Sequence, residues 1–131
     1  MRILALAVAL FACPAAAQET PMTAAEFEAF VTGRTLSYGR AGEAPYGTEE
    51  YLPGRQVRWA FAGEECRDGF WYDDGPLICF VYEDNPEPQC WRFFEGPGGL
   101  RADFAGRDGA PVYQVQESEE PLFCPGPQIG V

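Results

Sequence analysis

The sequence predicts a mainly β fold, a small antiparallel β-barrel or sandwich with one short N-terminal helix and two disulfides. Three observations lead there. Short apolar segments recur between turn-forming residues, of which the chain has 15 Gly and 12 Pro. Ten Phe, six Tyr and three Trp supply core volume that acidic disordered chains lack, despite a formal charge of −11. One segment alone, following Thr23, carries helical spacing with a capping signal.

The first 17 residues read as a secretory signal peptide. Met1-Arg2 begins it, about ten apolar residues follow, and Ala15-x-Ala17 supplies the small residues of a cleavage site. Such a run is too short to cross ~30 Å of hydrocarbon as a helix. Cys13 stands where a lipoprotein signal places its lipidated residue, but bulky Phe11 fits that pattern poorly. Residues 18–131 are then expected to form one β-rich domain in the periplasm or outside the cell, its tail irregular from about residue 117.

Along that domain, Thr23 caps a helix, Glu26 completes the capping box, and Met22 staples onto Phe27. Phe27, Phe30 and Val31 share one stripe, and Gly33 ends the helix. About two turns of helix are marginal alone, so it must pack on the β domain, closing one end or covering an edge. Strands are expected at residues 34–38, 49–52, 55–61, 66–72, 77–82, 89–94, 100–104 and 111–115. The third alternates cleanly, with Val57, Trp59 and Phe61 inward and Gln56 and Arg58 outward. Asp73-Asp74-Gly75-Pro76 is a strong turn signal.

Without Cys13, four cysteines remain, and in an oxidising compartment they form two disulfides with three pairings open by counting. None of their spacings has the Cys-x₂₋₄-Cys form of a structural zinc site. An antiparallel hairpin that places Cys79 opposite Cys90 brings them close enough to bond. Ile78 then faces Trp91, Phe80 faces Gln89, and residues 83–86 form a four-residue loop. Ile78, Phe80, Tyr82, Trp91 and Phe93 line its core face, and by elimination Cys66 pairs with Cys124.

Gly33-x-Thr35, Tyr51 with Pro53-Gly54-Arg55, Val57-x-Trp59, Gly69-x-Trp71, and Cys79 with Cys90 form a wider pattern. In it, residues 35–91 resemble a family of small exported proteins of unknown function from Gram-negative, mainly alpha-proteobacterial, bacteria. The resemblance implies a small β-sheet domain with one hairpin disulfide and carries over no catalytic constellation. Cys66, Cys124 and the Pro-rich tail depart from it.

The chain has no His, and its nine cationic residues are all Arg. That removes a histidine base, a Ser-His-Asp triad, a Schiff-base lysine and His-ligated metal sites. The acidic balance argues against binding a nucleic-acid backbone. Acid clusters such as Glu49-Glu50, Glu64-Glu65, Asp73-Asp74 and Glu83-Asp84 fall almost all in expected turns and read as solvated surface groups rather than a glycosidase pair, and Asp68-Gly69 and Asp73-Asp74-Gly75 do not match the alternating twelve-residue calcium loop. Gly96-Pro97-Gly98-Gly99 lacks the Lys and Ser/Thr of a phosphate loop and reads as a turn.

The leading expectation is therefore a non-catalytic exported binding or accessory domain, without cofactor or metal. Its acidity points to a cationic protein partner such as a basic cell-wall hydrolase. Trp71, Tyr72, Arg58, Arg92, Asp73 and Asp74 are its candidate binding residues, and nothing in the sequence indicates a homodimer. The alternative is a barrel binding a small apolar ligand in a cavity lined by residues such as Trp59, Phe61, Trp71 and Trp91. An acid-pair hydrolase ranks last.

Overall fold

The computed structural model describes residues 19–106 and 109–125. The signal read at residues 1–17, with Cys13, and Arg107 lie outside the described residues. Helix α1 (Ala24–Val31) precedes eight strands: β1 (Thr35–Gly39), β2 (Gly47–Leu52), β3 (Gln56–Phe61), β4 (Arg67–Asp74), β5 (Leu77–Tyr82), β6 (Asn85–Gly96), β7 (Gly99–Phe104) and β8 (Val112–Ser118). Each strand pairs antiparallel with the next, and β8 returns to β1, so the sheet closes into a barrel rather than a sandwich. Among the described residues no helix is long and apolar enough to cross a membrane.

Period-two alternation decides which side chains enter the barrel. Leu36 and Tyr38, then Glu49 and Tyr51, then Val57, then Ile78 and Phe80, then Leu100 and Ala102 are all buried on its inner face. The β1–β8 closure includes a bulge: Ser37 pairs with Gln116 but Tyr38 with Gln114, leaving Val115 extra. The β7–β8 seam is the thinnest, with only Arg101↔Tyr113 and Ala102↔Val112 in register. Beside it the Gln114 side chain accepts a hydrogen bond from the Leu100 N–H at 3.2 Å.

The helix forms as its capping signals require. Thr23 Oγ1 accepts from the Glu26 N–H at 3.2 Å, and the Thr23 N–H donates to the Glu26 carboxylate at 2.8 Å. Gly33, at φ +83°, reverses the chain beyond it. Phe27 is fully buried, its ring 4.4 to 6.3 Å from those of Phe93, Trp71, Tyr51 and Phe80. Of the two placements open to it, α1 takes the first and plugs one end of the barrel. Arg55 ties it to the β2–β3 connection through Glu28 at 3.1 Å.

Both disulfides pair as expected, Cys79–Cys90 across β5–β6 and Cys66–Cys124 from the start of β4 to the tail. Ile78↔Trp91, Cys79↔Cys90 and Phe80↔Gln89 are in the anticipated register. The expected loop at residues 83–86 is corrected. Tyr82 already pairs with Asn85, so the turn is shorter, and Pro86, Glu87 and Pro88 bow out of β6 instead. Proline has no N–H for the ladder, which is why the irregularity falls there.

Candidate functional site

The end of the barrel opposite α1 holds a cavity of about 350 Å³. Its floor is Tyr51, Phe80 and Phe93, whose other sides touch Phe27 of the plug. Its walls include Tyr38, Trp59, Phe61, Tyr82 and Trp91, and the connection between β1 and β2 adds Tyr46. A second groove, lined by Arg40, Glu43 and Phe104, adjoins the cavity through Tyr46, Gln89, Trp91 and Val112.

Local sequence explains how the rings are placed. Val57, Trp59 and Phe61 alternate inward along β3, and Trp59 meets Phe61 edge-on with centroids 5.3 Å apart. Tyr46 adds a third ring, 5.8 Å from Trp59 and 6.3 Å from Phe61. Trp59 lies over the backbone of Gly47, where any Cβ would overlap its six-membered ring. Glycine at that strand position makes room for the indole.

Among these rings sits one carboxyl. Glu49 pairs with Trp59 across β2–β3 and is only 2 % exposed. The Tyr82 hydroxyl reaches both of its oxygens at 3.1 Å. Burial pushes the Glu49 pKa well above the ordinary carboxylate range, and the Tyr82 hydrogen bond only partly opposes this. Below it, the Tyr38 and Tyr51 hydroxyls share a 2.7 Å hydrogen bond. Burial raises the pKa of Tyr38, Tyr51, Tyr46 and Tyr82 as well, so these phenols stay protonated donors at neutral pH.

Among the described residues, the one cationic side chain lining the cavity is engaged at its mouth. Arg67 pairs with Asp84 at 3.1 Å and Glu64 at 3.4 Å, and its guanidinium lies 5.1 Å from the Phe61 ring centre. Glu49 thus has a phenol partner and, among the described residues, no paired cation.

Three of the four residues expected to line a ligand cavity, Trp59, Phe61 and Trp91, do so. Trp71 lies instead in the core at the plugged end, 2 % exposed, against Phe27 and beneath the Arg55 guanidinium at 4.6 Å. The other residues named for a protein partner are dispersed. Arg58 pairs with Asp68 at 2.8 Å on the outer face, and Arg92 is exposed on β6. Tyr72 is half-buried beside Phe70, and Asp73 and Asp74 are exposed at the end of β4, paired with Ile78 and Leu77, so the turn expected over residues 73–76 is confined to Gly75-Pro76. Sequence reasoning missed Glu49, grouping it with Glu50 as a surface acid. The available signal was its two-residue spacing from Tyr51, which puts both on one face.

Comparison of the chain with protein-family models, with curated proteins and with solved structures gives no match.

Proposed function

We propose that this is an exported, non-catalytic binding protein that holds one small, largely apolar molecule inside its barrel. The observation that carries the reading is the aromatic cavity of about 350 Å³, plugged at one end by α1 and open at the other. An eight-stranded barrel is wide enough to enclose one small ligand, and cavities of a few hundred Å³ with a few convergent polar groups are typical ligand sites. The Glu49, Tyr82, Tyr38 and Tyr46 side chains are those polar groups. The one carboxyl–phenol pair among the described cavity residues, Glu49 with Tyr82, is kept toward its protonated forms by burial, and the reading assigns it to holding a ligand rather than to nucleophilic attack. A cationic protein partner has less support, since its candidate residues are spread over the core, the outer wall and the end of β4.

Titration with the neutral dye N-phenylnaphthylamine tests the reading. Its emission should rise and saturate at one dye per chain, and Ala102→Trp, which fills the cavity from β7, should abolish the rise while leaving the far-ultraviolet spectrum unchanged. No saturable rise with the wild-type protein, or an undiminished one in a folded Ala102→Trp variant, overturns it.

A further inference from the structure

We propose that the barrel's ligand is an organic cation, a primary ammonium on an apolar aryl or alkyl body, with Glu49 as its counter-ion. This rests on the cavity reading above and specifies the chemistry of that same site.

A carboxyl taken out of water is costly unless a cation or several donors replace the water. Among the described residues Glu49 has only the single Tyr82 hydroxyl, shared between its two oxygens. The ionisable groups facing the same space are Tyr38 from β1, Tyr46 from the β1–β2 connection, Tyr51 from β2, Tyr82 from β5, Arg67 from β4 and Asp84 from the β5–β6 turn. The phenols supply no positive charge, and Arg67 is held at the rim by Asp84, Glu64 and the face of Phe61. The place for a cation beside Glu49 is therefore not filled by any of the described residues.

The surroundings of the carboxyl suit such a cation. Trp59 is its cross-strand partner, with the Tyr46 ring 5.8 Å from the indole, and π-faces of these two types hold ammonium groups well. A carboxyl in an aromatic-lined cavity provides both a point charge when ionised and desolvated ring faces. Phe80, Phe93 and Trp91 line the remaining volume and suit a hydrocarbon body. A ligand anion is disfavoured by Glu49 itself and by the chain's formal charge of −11, which concentrates cations near the mouth.

Burial raises the Glu49 pKa in the free barrel, and wherever the carboxyl carries its proton the binding step balances as follows. The ammonium enters with its charge, the Glu49 carboxyl gives one proton to solvent, and an ammonium–carboxylate pair forms in the cavity. Binding then releases up to one proton per ligand at pH values between the ordinary Glu pKa of about 4.3 and the raised one.

Phenethylamine, phenethyl alcohol and hydrocinnamate share a body and differ in the head group, so their displacement of bound N-phenylnaphthylamine isolates the charge. Phenethylamine should compete at least about tenfold better than the alcohol, as a hydrogen bond to a charged group differs from a neutral one. Calorimetry in two buffers of different ionisation enthalpy should report proton release. Glu49→Gln, which keeps the shape and an acceptor for Tyr82, should bring amine and alcohol to equal affinity, read by direct calorimetry.

An alcohol or hydrocinnamate that competes as well as the amine overturns the inference and leaves the cavity reading standing. So does an amine preference that survives in Glu49→Gln, absence of proton release, or failure of all three to displace a dye that binds. A wild-type barrel that binds neither dye nor amine overturns both.

Discussion

Tyr82 reaches across the barrel from β5 to place its hydroxyl 3.1 Å from both oxygens of Glu49 on β2. The two strands are separated by β3 and β4, so this contact spans the lumen rather than a ladder. It fixes the carboxyl among the rings, and the burial of that carboxyl, which the contact only partly offsets, makes the barrel's stability depend on pH.

A carboxyl whose folded pKa is raised binds its proton more tightly in the folded chain. Its contribution to stability is complete below the unfolded value of about 4.3 and is lost as pH climbs toward the raised value. Urea melts of wild type and Glu49→Gln across the acid and neutral range should therefore diverge. Wild type should lose up to about 1.4 kcal/mol per pH unit relative to the variant within that window. Parallel curves would show that Glu49 titrates as an ordinary surface acid.

Phe27 is the centre of the plug, in contact with four rings from β2, β4, β5 and β6. Phe27→Ala should cost about 3–5 kcal/mol, a large part of the 5–15 kcal/mol typical of a small domain. Denaturant midpoints measure the loss directly. A cost below about 1 kcal/mol would mean that α1 is an ornament on a barrel already closed.

Gly47→Ala introduces a methyl where the Trp59 ring now lies. The indole must shift into the cavity or the strands must separate, at about 1–3 kcal/mol. Thermal melting should record the destabilisation and dye titration a weakened affinity. Unchanged affinity would place the bound molecule away from Trp59.

The two disulfides close loops of different length, with sequence separations of 11 and 58. Replacing Cys79 and Cys90 together by Ala should cost roughly 3 kcal/mol, and replacing Cys66 and Cys124 roughly 4. Melting curves of the two double variants test the order. Equal or reversed losses would show that packing around Cys79, which is fully buried, outweighs loop entropy.

The fold was legible where local signals act alone. Thr23, Glu26 and Gly33 mark the helix ends through backbone hydrogen bonding, and Val57-Arg58-Trp59 reveals its strand by alternation. Facing Cys79 with Cys90 fixed a hairpin register because a disulfide tolerates little offset. Barrel closure was not legible, since it depends on β1 meeting β8 through a pairing that neither strand encodes by itself. Glu49 was obscured by Glu50. In a run of two acids, which one is buried depends on strand register, and Gly47, which carries the strand two residues further back, hides its own inward position by having no side chain. Trp71 was misplaced among surface candidates because a strand aromatic on both faces does not say which face is inner.

The narrow β7–β8 seam has a mechanical consequence. Two paired positions and the Gln114 side chain join these strands, whereas β6 and β7 share six. A hoop parts at its weakest stave, so spontaneous opening of the wall should begin there, with amides of β8 that face β7 exchanging with deuterium ahead of those on β5 and β6. Val112 on that stave borders the cavity. For a ligand held as proposed, any entry that needs the wall to open should follow the breathing of this one joint.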